Sequence, residues 1–147
     1  MLRNSKSEIP YNDIDYEIRD LVKYINNVDG IETYGSCCGH GEGRAWIILL
    51  ADSIEDINKF MYTYFYCNDG WEISLYMTDV DIDNKNWSKM NFMLHTTDLI
   101  DYKYVDLAIS NVTRLFYIKQ HEEMTKKISE ILLDKDEMKD DIPYGIC

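Results

Sequence analysis

Residues 34–43, "YGSCCGHGEG", concentrate the groups of this chain that could do chemistry. They contain four of its seven glycines, two adjacent cysteines and one of its three histidines. Three kinds of site use such residues: a metal centre, a cysteine nucleophile, or a glycine-rich backbone cradle for a small ligand. A hairpin turn without any ligand is the fourth alternative, and the rest of the chain has to discriminate among the four.

A metal centre is disfavoured because Cys37 and Cys38 are adjacent in the sequence. Structural zinc usually takes four Cys or His ligands, with paired cysteines separated by two or more residues. Alternating side chains would point the two thiols apart, so only one of them would join His40. His95, Cys67 or an acid from elsewhere would have to complete the site. We therefore expect no metal, and well under one zinc per chain.

A cysteine nucleophile would pair Cys38 with His40, two residues later. Such a nucleophile needs a general base and a lowered thiol pKa, which the N–H donors of the loop could help to supply. Cysteine–histidine catalysts usually draw the two residues from different segments, however. The loop by itself therefore gives little support to catalysis.

A ligand cradle accounts best for the glycines. Glycine lets a backbone approach a ligand closely, and successive N–H groups can form an anion-binding nest. Arg44, at the exit of the loop, would add a planar fork for a carboxylate or phosphate. His40 and His95 would be polar walls of the pocket. The candidate binding residues are Ser36, Cys37, Cys38, Gly39, His40, Gly41, Arg44 and His95.

Two other motifs are incomplete. Residues 79–90 begin like a calcium loop, but Asn84 stands where such loops have glycine and Met90 stands where they need a bidentate glutamate. We interpret this segment as an acidic hairpin. "HEEMT" at 121–125 has Thr125 in place of the second histidine of a zinc-protease motif.

The apolar periodicity predicts seven elements that would position the loop. Helical spacing and strand alternation give the order α-β-β-α-β-β-α. This order predicts a two-layer α+β fold with a mostly antiparallel four-stranded sheet. We expect one domain over residues 1–133, followed by an acidic tail over 134–147. The predicted helices are 14–25, 53–65 and 102–133, the last with an irregular middle at 117–123 that indicates a kink or a break. The predicted strands are 31–35, 45–51, 71–78 and 90–95.

The charge balance argues against a polynucleotide partner. The chain has 27 acidic and 15 basic residues, and the part before the tail still carries −9 of the net −12. Nucleic-acid binders normally cluster Lys and Arg against phosphates, and no such cluster occurs in the sequence. No apolar run reaches membrane-spanning length, and the N-terminus lacks the apolar core of a secretory signal. We therefore expect a cytoplasmic protein with reduced cysteines.

Three short segments of the chain resemble the wybutosine-tRNA methyltransferase family. These are "LVKYIN" at 21–26, "IETYGSCCGH" at 31–40 and "FMLHTT" at 92–97, so the resemblance spans about residues 14–116. Ile25 and Asn26 match the end of the family's helix, and Leu94 and His95 match its late strand. The loop motif is matched by Thr33, Ser36, Cys37 and Gly39. Three positions depart from that motif: Gly35 and Cys38 replace serines, and His40 replaces arginine.

The resemblance implies an adenosine-bearing ligand, S-adenosylmethionine or another adenine nucleotide. Our leading hypothesis is a small-molecule-binding protein whose "SCCGHGEGR" loop holds such a ligand. The codon-biased composition suggests a low-GC bacterium or its phage, so the protein could be a phage-encoded protein that sequesters a nucleotide signal. The alternatives are an S-adenosylmethionine-dependent methyltransferase and a protein interaction module. The apolar stripe from Met124 to Leu132 further predicts a homo-oligomer through the last helix.

Overall fold

The computed structural model describes residues 6, 9–66, 70–76 and 90–140, with side chains up to residue 134. Within these residues there are three α-helices and four β-strands, in the predicted order. These elements are α1 (Tyr16–Asn26), β1 (Ile31–Cys37), β2 (Trp46–Ala51), α2 (Ile54–Tyr64), β3 (Trp71–Leu75), β4 (Met90–Thr96) and α3 (Val105–Asp140).

The four strands form one sheet in the order β1-β2-β4-β3, and every neighbouring pair is antiparallel. The predicted α+β class and its antiparallel sheet are therefore confirmed. β2 lies between β1 and β4, which explains its uninterrupted apolar sequence: residues 47–51 are all buried. Ile48 and Leu50, which alternate with the helix-facing residues Ile47 and Leu49, are also buried, at 9% and 2% exposed, so β2 has apolar side chains on both sides.

The helices pack on one face of the sheet. Alternate residues of β2, Ile47 and Leu49, share a core with the buried sides of α1 and α2 and with the first part of α3. Ser53 starts α2 as predicted, because its hydroxyl accepts a hydrogen bond from the backbone N–H of Asp56. In that core Tyr64 stacks on Phe116 with ring centroids 3.8 Å apart.

Asn26, at the end of α1, ties this helix to β1. Its amide nitrogen donates hydrogen bonds to the carbonyl oxygen of Val22 (2.9 Å) and to the hydroxyl of Thr33 (2.8 Å). Its amide oxygen accepts the backbone N–H of Thr33 at 3.0 Å. The polar side chain is buried without a solvation penalty, since both ends of the amide are paired.

The chain divides into two compact units, residues 1–116 and residues 117–147. α3 runs without interruption from Val105 to Asp140, so the predicted break near 117–123 is wrong. The helix also continues past Leu133 into the segment expected to be a tail, of which 141–147 lie outside the described residues. No helix in the described part of the chain is long and apolar enough to cross a membrane.

Some sequence predictions fall outside the described residues. Most of the acidic segment 79–90 lies in the gap between Tyr76 and Met90. Cys67 and Cys147 also lie outside the described residues. Cys37 and Cys38 are both free thiols.

Candidate functional site

The glycine-rich segment is the connection between β1 and β2, a tight loop over residues 38–45. Three consecutive residues take left-handed backbone conformations: Gly39 (φ 85°), His40 (φ 51°) and Gly41 (φ 73°). Gly39 is required for a second reason. A Cβ at this position would overlap the carbonyl oxygen of Gly43, because the two limbs of the loop approach closely.

Six of the eight backbone N–H groups of this loop donate to acceptors within the protein. Glu42 and Gly43 both donate to the carbonyl oxygen of Gly39, at 3.0 and 3.1 Å. Four more N–H groups have acceptors within the protein: Cys38 donates to Asp15 Oδ2, Gly39 to Cys37 Sγ, His40 to Cys38 Sγ, and Ala45 to Thr96 Oγ1. An anion nest needs convergent donors that are not already bonded. The geometry therefore gives little support to a backbone cradle for phosphate.

The first group of candidate side chains consists of Asp15, Cys37, Cys38 and His40, which we call the loop cluster. Asp15 Oδ2 accepts the backbone N–H of Cys38 at 3.0 Å and lies 3.7 Å from Nε2 of His40. The other ring nitrogen of His40, Nδ1, lies 3.6 Å from the sulfur of Cys38. The loop is therefore held against the start of α1 by a carboxylate and an imidazole.

The two cysteines of the loop cluster have different environments. Cys38 is 3% exposed and belongs to the core, whereas Cys37 is only partly buried. Burial, together with the nearby carboxylate of Asp15, raises the pKa of the Cys38 thiol to about 11. The thiol is therefore neutral at physiological pH. This argues against the pairing of Cys38 with His40 as an activated nucleophile.

The second group consists of Arg44, Glu72, His95 and Asp98, which we call the strand-end cluster. Arg44 forms an ion pair with Asp98, and its guanidinium lies 4.0 Å from Glu72 Oε1. Nδ1 of His95 lies 3.5 Å from the same Glu72 oxygen. The two predicted site residues Arg44 and His95 thus meet at one carboxylate. Arg44 is already neutralised by acids, which weakens its predicted role as an anion contact.

A single row of residues across the sheet connects the two clusters. Cys37 on β1 is paired with Trp46 on β2, Trp46 with His95 on β4, and His95 with Glu72 on β3. Directly opposed residues of antiparallel strands share a face, so these four residues form a terminal row on one side of the sheet. Strands are about 4.8 Å apart, so the row spans about 14 Å.

One cavity lies near the predicted site residues, and a second lies beside β3. One of about 80 Å³ is bordered by Ser36, Gly35 and the segment from Ile9 to Ile14, and it is too small for a nucleotide. A larger groove of about 370 Å³ is lined by Trp71, Ile100 and Tyr104 with five neighbours. None of the predicted site residues lines this groove, which the sequence analysis missed.

The structure thus divides the predicted residues between two clusters. The loop cluster takes Cys37, Cys38 and His40, and the strand-end cluster takes Arg44 and His95. Sequence reasoning missed Asp15, Glu72 and Asp98, and with 27 acidic residues in the chain no pattern singled them out. The chain matches no protein-family model, no curated protein and no solved structure.

Proposed function

We propose that the protein binds a small, positively charged ligand of the S-adenosylmethionine type at the Glu72 end of the terminal row. One observation carries the proposal: His95 and Arg44, from separate parts of the chain, both contact Glu72 Oε1. A carboxylate held in this way attracts an organic cation by its charge. The proposal requires binding only, so the protein could act by sequestering its ligand in the cytoplasm.

The tautomer of His95 favours a ligand that donates a hydrogen bond to the Nε2 atom of this residue. Nδ1 lies 3.1 Å from the carbonyl oxygen of Thr96 and 3.5 Å from Glu72 Oε1, and both of these oxygens are acceptors. Nδ1 therefore carries the proton in the neutral ring, and Nε2 is the acceptor. Because the imidazole side chain is only 13% exposed, its orientation is fixed by the surrounding structure.

The local charge favours a cation over a phosphate. The strand-end cluster has two carboxylates, Glu72 and Asp98, against the single guanidinium of Arg44. A nucleotide phosphate would be repelled, while a sulfonium or ammonium group would be attracted. Of the two ligand classes expected from the sequence, the geometry thus favours the S-adenosylmethionine type over an anionic nucleotide.

The test is calorimetric titration of the intact protein with S-adenosylmethionine, S-adenosylhomocysteine and ATP. The first two share the adenosine, but S-adenosylhomocysteine lacks the sulfonium charge. We expect S-adenosylmethionine to bind at least tenfold more tightly than the other two. Equal affinities for the two adenosyl compounds, tightest binding of ATP, or no binding by any of the three would contradict the proposal.

Two substitutions locate the binding at the terminal row. Glu72→Gln removes the charge and keeps the shape, so it should weaken S-adenosylmethionine about fivefold or more and leave S-adenosylhomocysteine unchanged. Glu55→Gln on the exposed side of α2 is the matched control and should change neither. Equal effects of the two variants would place the ligand elsewhere.

The methyltransferase alternative makes a different prediction for RNA. With its acidic composition the protein should not retain labelled tRNA at about 0.15 M salt, where close contacts persist. tRNA binding that weakens steeply with added salt, together with formation of S-adenosylhomocysteine from S-adenosylmethionine, would show that the protein is a methyltransferase and not a binding protein.

A second candidate function, self-association, is favoured by the distal part of α3. Tyr117, His121, Met124, Ile128 and Ile131 follow each other at alternating spacings of four and three residues, the repeat of a coiled-coil seam. Met124, Ile128 and Ile131 are each more than half exposed. Burying such side chains is worth about 1.5–3 kcal/mol each. We infer that two copies of this segment pair as a homo-oligomer.

Sedimentation of the intact chain tests this inference. We expect a dimer, and a monomer for the double variant Ile128→Glu, Ile131→Glu. Thr125→Glu, Ser129→Glu is the matched control, because both residues are exposed and lie off the seam. A monomeric intact chain, or a dimer that survives the seam substitutions, contradicts the pairing.

A further inference from the structure

We propose that Asp15, Cys37 and His40 form a binding site for a divalent cation of intermediate softness, Zn²⁺. One potential ligand atom of each residue lies within 4.8 Å of the other two. Zinc ligands at bond lengths of about 2.0–2.3 Å in a tetrahedron are about 3.3–3.8 Å apart. The cluster therefore has to contract by only about 1 Å. His40, whose side chain is 66% exposed, is free to move by that amount.

The imidazole of His40 is oriented as in many metal sites: one ring nitrogen faces another candidate ligand, and the second ring nitrogen contacts a neighbouring side chain. Nε2 faces the carboxylate of Asp15 at 3.7 Å, and Nδ1 faces the sulfur of Cys38 at 3.6 Å. In metal sites the non-ligating nitrogen is usually held by a neighbouring group, which fixes the ring. Cys38 would supply this support from the core while Nε2 binds the cation.

Cys37 and Asp15 are placed to complete the set. The backbone N–H of Gly39 donates to Cys37 Sγ at 3.4 Å, a contact that also favours a metal-bound thiolate. Asp15 occupies the N-cap position of α1, but its carboxylate makes no capping hydrogen bond within the described first turn. The carboxylate is turned to the loop instead, where it lies beside His40.

The mixture of sulfur, nitrogen and oxygen ligands determines the class of cation. Mg²⁺ and Ca²⁺ prefer oxygen ligands alone, whereas Zn²⁺ accepts all three donor types. Three protein ligands leave a fourth position for water or another molecule. The sequence-based expectation of no metal rested on the adjacency of the two cysteines, of which only one would join His40, and left the completing ligand to His95, Cys67 or an acid from elsewhere. In the structure one cysteine, Cys37, belongs to the set of three residues whose ligand atoms lie within 4.8 Å of one another, and Asp15 is the acid from elsewhere.

This site is distinct from the proposed ligand site. It lies at the Cys37 end of the terminal row, while Glu72 lies at the opposite end, about 14 Å away by strand spacing. Metal binding is measured without any adenosyl compound. Failure of one proposal therefore does not imply failure of the other.

The test is titration of the full-length, chelator-treated protein with Co²⁺, a spectroscopic substitute for Zn²⁺. Cys67 and Cys147 are first replaced by serine, so that Cys37 and Cys38 are the remaining thiols. We expect one Co²⁺ per chain, with the charge-transfer absorption of a thiolate–cobalt bond, displaced by an equivalent of Zn²⁺. Absence of this absorption, or cobalt binding well below one per chain, overturns the proposal.

Single substitutions identify the ligands. Cys37→Ser, Asp15→Asn and His40→Asn should each weaken Zn²⁺ binding about 100-fold or more, since even supporting groups are worth about 10–100-fold. Asparagine is chosen at position 40 because it tolerates the left-handed backbone.

Two control variants test whether residues other than Asp15, Cys37 and His40 bind the metal. His121→Asn should leave Zn²⁺ affinity unchanged, and Cys38→Ser should weaken it by no more than about tenfold. A loss in Cys38→Ser as large as that in Cys37→Ser, or full affinity in His40→Asn, contradicts the assignment of Asp15, Cys37 and His40 as the ligands.

Discussion

The carboxylate of Asp15 accepts the backbone N–H of Cys38 at 3.0 Å, across 23 residues of sequence. This bond joins the start of α1 to the loop between β1 and β2. The geometry of the loop therefore depends on a residue that lies outside the glycine-rich segment.

Replacing Asp15 should loosen this loop. Asp15→Ala leaves the partly buried N–H of Cys38 without its charged acceptor, and such bonds are worth about 1.5–3 kcal/mol. We expect the free energy of unfolding in urea, with a chelator present, to fall by that amount. Asp20→Ala, an exposed position of the same helix, is the control and should change it by less than about 0.5 kcal/mol. Equal losses in the two variants would show that the bond contributes nothing.

Two glycines of the loop should differ in their tolerance of alanine. Gly39 and Gly41 both have positive φ, so each alanine carries a left-handed penalty of about 1–2 kcal/mol. A Cβ on Gly39 also overlaps the backbone of Gly43, while a Cβ on Gly41 meets nothing within 4 Å. Gly39→Ala should therefore be the less stable variant by at least about 2 kcal/mol in urea denaturation. Similar stabilities would mean that the limbs of the loop can separate at little cost.

The junction between α1 and β1 should be sensitive to loss of the Asn26 amide. Asn26→Ala removes three hydrogen bonds and leaves the backbone N–H of Thr33 without its acceptor. We expect a loss of about 2–4 kcal/mol in the free energy of unfolding. Asn58→Ala, an exposed position on α2, serves as the control and should cost less than about 1 kcal/mol. A small effect at Asn26 would show that packing alone holds the helix on the strand.

Stability of the metal-free protein should fall at alkaline pH through Cys38. Its folded-state pKa is raised from 9.0 to about 11, so the neutral thiol stabilises the fold fully below pH 9. That contribution is lost as the pH rises from 9 towards 11 and amounts to about 2–3 kcal/mol at most. Unfolding free energies measured across this range should decline less in Cys38→Ser than in the parent. Parallel declines would assign the effect to other groups.

The fold could be predicted from the sequence because its signals are local. The apolar stripe of α1 reflects a helix that is buried on one side, and the uninterrupted apolar run of β2 reflects a strand that is buried on both sides. The continuity of α3 was mispredicted, since the seam positions within 117–123 are an aromatic and a polar residue, Tyr117 and His121, and they mark a helical period less clearly than aliphatic residues do. Periodicity is easiest to recognise where the buried side of a helix is aliphatic.

The candidate site was only half predictable. The loop was conspicuous because glycine, cysteine and histidine are scarce elsewhere in the chain, so its cysteines and His40 could be named. Its partners could not, because Asp15 and Glu72 are brought to it by strand order and register. A single sequence carries no signal of which acid lies opposite which strand.

The register of the sheet also fixes the order in which the two clusters can form during synthesis. The loop cluster needs only residues up to His40, and its defining contact spans 23 residues, so it can assemble early on a nascent chain. The strand-end cluster needs Asp98, because Arg44 finds its partner 54 residues later. Long-range pairings of this kind form slowly, after closure of a large loop. On a growing chain the residues of the thiol and imidazole end are therefore all present first, whereas those of the acidic end are complete only once Asp98, just beyond β4, has been added.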